Sequence, residues 1–155
     1  DIPDLDRDIL KVVVCNRYGK KSIATGLVHG FGFRNGAIAS TVSHDAHNLI
    51  AVGTNDTDII GAIAAVVRRR GGMAAVACGQ HADLPLDCGG LMSTLPFAEV
   101  AGKIRSLQAL TSIMGGIADP FMYLSFLSLT VIPALRITDR GVFDYGRFSD
   151  VSLFV

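Results

Sequence analysis

"LIAVGTNDTDIIGAIAAVVRRRGGMAAVAC", Leu49–Cys78, decides the fold class. Leu49–Val52 is a continuous apolar run of the kind a doubly covered strand shows. "GTNDTD" then breaks it and offers Thr54, Asn55 or Asp56 as a helix cap, with acidic residues where the helix dipole favours them. Ile59, Ile60, Ile63, Val66 and Val67 recur at helical spacing. Arg68, Arg69 and Arg70 suit the helix C-terminus, and Gly71-Gly72 stops it. "MAAVAC" resumes as a strand, and a turn at Gly79 leads to a short strand through Leu84. Strand, helix and strand in succession predict a βαβ unit with a right-handed crossover.

Upstream, "ILKVVVC" (Ile9–Cys15) predicts a buried strand rich in β-branched residues, and Ser22–Val28 a second strand. The turn "NRYGKK" joins them as a hairpin. "HGFGFRNGA" carries glycines that permit tight turns or close approaches. It lacks the spacing and the lysine–hydroxyl ending of a phosphate loop. Phe31 and Phe33 therefore read as packing residues ahead of ligand-stacking ones. Downstream, "LPFAEVAGKIRSLQALTSIMGG" (95–116) predicts the clearest helix. Its Pro96 suits an N-terminal position, and Phe97, Val100, Ala101, Ile104, Leu107, Leu110 and Met114 form one apolar stripe. "DPFMYLSFLSL" fits either a short helix or a packed extended segment. "LRITDRG" and "VFDYGRF" read as strands or turns. The final "VSLFV" is apolar enough to be expected docked on the core. The expected architecture is α/β: a single domain over residues 1–155, with a mixed β-sheet packed with helices, an α/β sandwich.

The chain has 155 residues, half of them apolar, 18% charged and with no net charge. Charge is sparse against a typical value of about 25%, so part of the surface is expected to meet another domain or another copy. Neutral charge gives no footprint for nucleic acid or an anionic membrane. The longest greasy run, residues 121–135, falls short of the ~20 apolar residues a bilayer span needs. Cys15, Cys78 and Cys88 are odd in number and match no zinc or redox spacing, which suits free thiols in a cytoplasmic setting.

Candidate chemistry concentrates in "SHDAHN", Ser43–Asn48. On a strand, Ser43, Asp45 and His47 share one face; on a helical turn, His44 and His47 are neighbours. Either arrangement sets an imidazole beside a carboxylate or hydroxyl, as general bases and metal ligands require. Three readings stay open: a polar network satisfying loop backbone, a role in or beside an active site, and a metal site. The last lacks a third and fourth ligand unless His29 or His81 comes near. A small independent hydrolase built on Asp45 and His47 finds no nucleophile motif to support it.

The stretch "GLVHGFGFRNGAIASTVSHDAHNLIAVGTND", Gly26–Asp56, resembles the C-terminal domain of bacterial adenine deaminases of the amidohydrolase superfamily. The family shows a "GFG", a basic residue, then "HDSHN" leading to an apolar strand and "VGTN". "GGM", "LPL", "GLMS", "PFMYLSFLSLTVIPALRITDRG" and "LFV" match in order. Ala46 replaces a usual serine, Phe33-Arg34-Asn35 varies a Leu-Lys-Arg pattern, and "CNRYG" stands where the family often reads "ERHG". The resemblance implies an enzyme that hydrolyses adenine to hypoxanthine and ammonia. Its divalent metal (manganese, iron or zinc) would sit in an N-terminal (β/α)8 barrel of ~250 residues, with none expected in this chain. It implies supporting roles for His44, Asp45 and His47, and substrate contact for Ser43 and Asn48. The sparse charge and free thiols add the expectation of a homo-oligomer in the cytoplasm. On that reading the chain, which begins without Met, is a fragment or separately produced domain, inactive alone. The alternative is a non-enzymatic interaction or oligomerisation module.

Overall fold

In the computed structural model, which describes residues 3–154, Leu49–Cys78 folds as strand, helix and strand. The strands are β1 (Ile9–Cys15), β2 (Ile23–His29), β3 (Ala37–Ser40), β4 (Leu49–Gly53), β5 (Gly72–Ala77) and β6 (Gln80–Pro85). They form one sheet in the order β2-β1-β4-β3-β5-β6. Helices α1 (Asp56–Arg68), α2 (Phe97–Ile113) and α3 (Pro120–Phe126) cover it. Three short strands, β7 (Leu135–Thr138), β8 (Gly141–Asp144) and β9 (Ser149–Val151), make a second sheet. The architecture is the expected α/β sandwich.

The expected βαβ unit takes a split form. β4 and β5 both pair antiparallel with β3, so they run parallel to each other with β3 between them. Every hydrogen-bonded pair in both sheets is antiparallel. The continuous apolar character of β4 comes instead from burial on both faces. Leu49 and Ala51 face α1, whereas Ile50 and Val52 face the opposite layer. The α1 side is lined by alanines (Ala37, Ala39, Ala51, Ala74) that meet Ala62 and Ala65 of the helix. Asn55 caps α1, its side-chain oxygen accepting from the Asp58 amide at 2.9 Å.

The other face carries the larger core. Leu10, Val12, Val14, Ile38, Ile50 and Val52 meet Leu107 and Leu110 of α2, Met114 just after it, Leu124 of α3 and Ile137 of β7. Phe31 and Phe33 are buried there, with ring centroids 5.7 Å apart. The glycines of "GFG" serve a close approach: a Cβ on Gly32 would lie 2.8 Å from the Gly116 Cα. Hydrogen bonds Arg34 N–H to Met114 O (2.8 Å) and Ile117 N–H to Phe31 O (3.0 Å) fix the crossing on both sides.

Two expectations need correction. The α2 stripe is buried only at Leu107, Leu110 and Met114; Phe97 is 87% exposed and Ile104 38%. α2 packs on β5 and β6, the last strands of the sheet, and so has sheet beneath only part of its length. The chain end docks only in part. Val151 and Leu153 are half-buried, Phe154 is exposed, and Val155 lies outside the described residues. Among the described residues, no helix is long and apolar enough to cross a membrane.

Candidate functional site

One end of the large sheet gathers the β1–β2 hairpin turn, the β3–β4 connection, the α1–β5 junction and the segment after β6. Thr41, at the exit of β3, ties three of them. Its hydroxyl donates to Gly90 O at 2.6 Å and accepts from the Gly72 amide at 2.9 Å. Residues 43–48 then form a tight turn, closed by His47 N–H to Ser43 O at 2.7 Å. His47 adopts φ +50°, left-handed backbone that is uncommon for a residue with a side chain.

The turn separates the candidate residues. The ring of His44 stacks on Phe126 of α3 at 5.2 Å and meets His47 edge-on at 5.8 Å. Neighbouring histidines follow from the helical-turn alternative. Ser43, Asp45 and Asn48 point the other way and line a cavity of about 600 Å³. Asp45 is exposed and forms no side-chain hydrogen bond to either imidazole among the described residues. His47 Nδ1 is buried without a hydrogen-bonding partner. Among the described residues no three His, Cys, Asp or Glu side chains converge as metal ligands, so the residues present do not fit a metal ion.

Most residues lining the cavity carry polar side chains. Ser43 is fully buried, and its Oγ has no partner; the buried Ser128 Oγ opposite has none either. Such hydroxyls carry a desolvation cost that a hydrogen-bonding ligand relieves. Lys20, Lys21 and Ser22 approach from the hairpin, and Thr138, Asp139 and Arg140 from the β7–β8 turn. Asp139 links these walls, accepting from Ser22 Oγ at 2.7 Å and Asn16 Nδ2 at 2.9 Å. The Ser22 hydrogen bond, then that of Asn16, holds its carboxyl below the ordinary 3.8. A depressed folded value stabilises the native state above the unfolded value, and that contribution is lost as pH falls through the folded one. Acid should therefore cost Asp139→Asn less stability than the parent. Urea midpoints at pH 6 and pH 3 will read this, and equal losses in both proteins would refute it.

Arg17 is the residue the sequence did not single out. Its Nη1 donates to His47 O (3.3 Å) and its Nη2 to Gly89 O (3.0 Å), pinning the turn to the segment after β6. Tyr18 Oη reaches the same His47 carbonyl at 3.3 Å. Both lie in "NRYGKK", where the glycine announces a bend and nothing local announces partners thirty residues away. Phe126 and Ser128 were hidden likewise inside a greasy run.

Residues 1–149 match the family model described as adenine deaminase C-terminal domain. The chain is 61% identical to a protein named adenine deaminase from Methanoregula boonei, over 99% of this chain and 27% of the relative. It is 57% identical to one from Methanoculleus marisnigri, over 99% of this chain and 30% of the relative. It is 47% identical to one from Brucella abortus, over 96% of this chain and 26% of the relative. The chain thus spans less than a third of the length of these relatives.

Proposed function

Because the chain belongs to the adenine deaminase C-terminal domain family, we propose that residues 1–155 form the C-terminal part of an enzyme converting adenine to hypoxanthine and ammonia. The whole protein on this reading is a cytoplasmic, metal-dependent amidohydrolase. The deaminating domain precedes this one and carries the divalent metal, whether manganese, iron or zinc, which supplies an activated water. This chain supplies position. Ser43 and Asn48 offer hydrogen-bonding groups to the purine edge, and His44, Asp45 and His47 shape the turn that presents them. Alone, the chain does not turn over adenine.

The observation that carries this reading is the cavity edge, where three residues of one turn meet around a buried hydroxyl without a partner. In the full-length enzyme, His47→Ala should lower kcat/KM by roughly tenfold to a hundredfold, the scale of a misplaced supporting group. Metal content should stay unchanged, and the 155-residue chain should show no turnover. Unaltered turnover and metal content in the variant would remove the supporting role.

Assembly into a homo-oligomer belongs to the same proposal. β2 is an edge strand of the large sheet without a charged residue or proline, and Ile23 on it is 70% exposed. Natural edges usually carry such protection when nothing covers them.

A further inference from the structure

We propose that the groove beside α3 seats the domain that precedes this one in the longer relatives, through an apolar side chain next to a carboxylate. This rests on the reading of the chain as one part of a larger deaminase.

The groove has a volume of about 340 Å³, with Val28, Phe31, Ile117 and Ile132 among its lining residues. Tyr123 and Phe126 of α3 line it too and remain 57% and 38% exposed. Aromatic groups left this open around an apolar hollow are the usual anchors of a protein contact. Arg136 lines the same groove. Its Nη1 and Nη2 donate only to the Leu135 and Pro133 carbonyls, and its Nε is buried without an acceptor. Among the described residues Arg136 forms no ion pair. A half-buried cation without a carboxylate fits an anionic neighbour arriving from outside.

Two observations favour the preceding domain as occupant. About seven-tenths of the length of the relatives from Methanoregula and Methanoculleus lies outside the matched region. A covalently linked neighbour of that size meets this surface at high effective concentration. The groove also adjoins the candidate site, because Phe126 on its lip stacks on His44. A domain seated here lies against the 43–48 turn. Of the competing exposed apolar residues, Ile60 and Val67 on α1 lie on the opposite face of the sheet, and Phe97 and Ile104 lie on α2, which packs on β5 and β6 at the edge remote from β2.

Hydrogen exchange in the full-length enzyme and in the 155-residue chain tests this. Amides of residues 120–136 are expected to exchange at least tenfold more slowly in the full-length enzyme. Tyr123→Asp should restore fast exchange there while leaving the thermal midpoint of the 155-residue chain unchanged. Equal exchange in the two unvaried proteins overturns the proposal, as does protection confined to the Ile60–Val67 strip. Adenine turnover by the same full-length preparation separates the failures. Turnover without protection of 120–136 sinks this interface alone, and absent turnover sinks the reading beneath it.

Discussion

Alanine at Gly116 is expected to destabilise the domain by about 3 kcal/mol. The backbone there holds φ +96°, left-handed geometry that costs a side-chain-bearing residue roughly 1–2 kcal/mol. A Cβ would also overlap the Phe31 carbonyl oxygen and come within 3.1 Å of the Phe33 ring. Overfilled packing adds a further ~1–3 kcal/mol. The hydrogen bonds at Arg34 and Ile117 bracket the crossing, so neither strand of chain can step aside. Gly30→Ala separates the two effects. Its φ is +104°, yet nothing lies within 4 Å of a Cβ there. Its loss should therefore be confined to the roughly 1–2 kcal/mol of strain. Denaturant titrations with an unchanged m-value will measure both. Equal losses at Gly116 and Gly30 would mean that the close approach contributes nothing.

Phe33→Ala should cost about 3–5 kcal/mol, the range for emptying a buried aromatic site. Phe33 is 1% exposed and among the largest fully buried side chains. For a domain of this size each kcal/mol shifts the thermal midpoint by ~2–4 °C. A fall of roughly 6–20 °C is the expected reading. Phe97→Ala is the matched control. The ring is 87% exposed, so its loss in this chain should stay within about 0.5 kcal/mol. Comparable losses at the two positions would contradict the burial assigned to α2.

These two phenylalanines also mark what the sequence makes legible. Strand and helix positions follow from local pattern, and β1, β4 and α1 lie where apolar runs and the cap candidates Thr54, Asn55 and Asp56 put them, whereas no pattern announces β3 at Ala37–Ser40. Pattern cannot tell which apolar residue of a helix meets the core when the sheet ends beneath it, so Phe97 and Leu107 look alike in sequence. Strand order is similarly non-local. Nothing in "MAAVAC" signals that its partner is Ala37–Ser40 and not Leu49–Gly53. At the candidate site, "SHDAHN" stands out by composition alone. The partition of its side chains, with His44 on Phe126 and Ser43 in the cavity, depends on contacts with α3 and the hairpin. Arg17 stayed hidden because its acceptors are carbonyls, which every residue has.

The strand order has a bearing on biosynthesis. Four neighbouring strands, β2-β1-β4-β3, are complete once the ribosome has released Gly53, whereas α3 and β7, which pack on them, end only at Phe126 and Thr138. At translation speeds of about 5–20 residues per second, several seconds separate those two events. During that interval a nascent sheet made of valine, isoleucine and leucine has no roof on its larger face. Chaperone binding to the nascent chain is expected to concentrate on that segment and to end when α3 and β7 emerge.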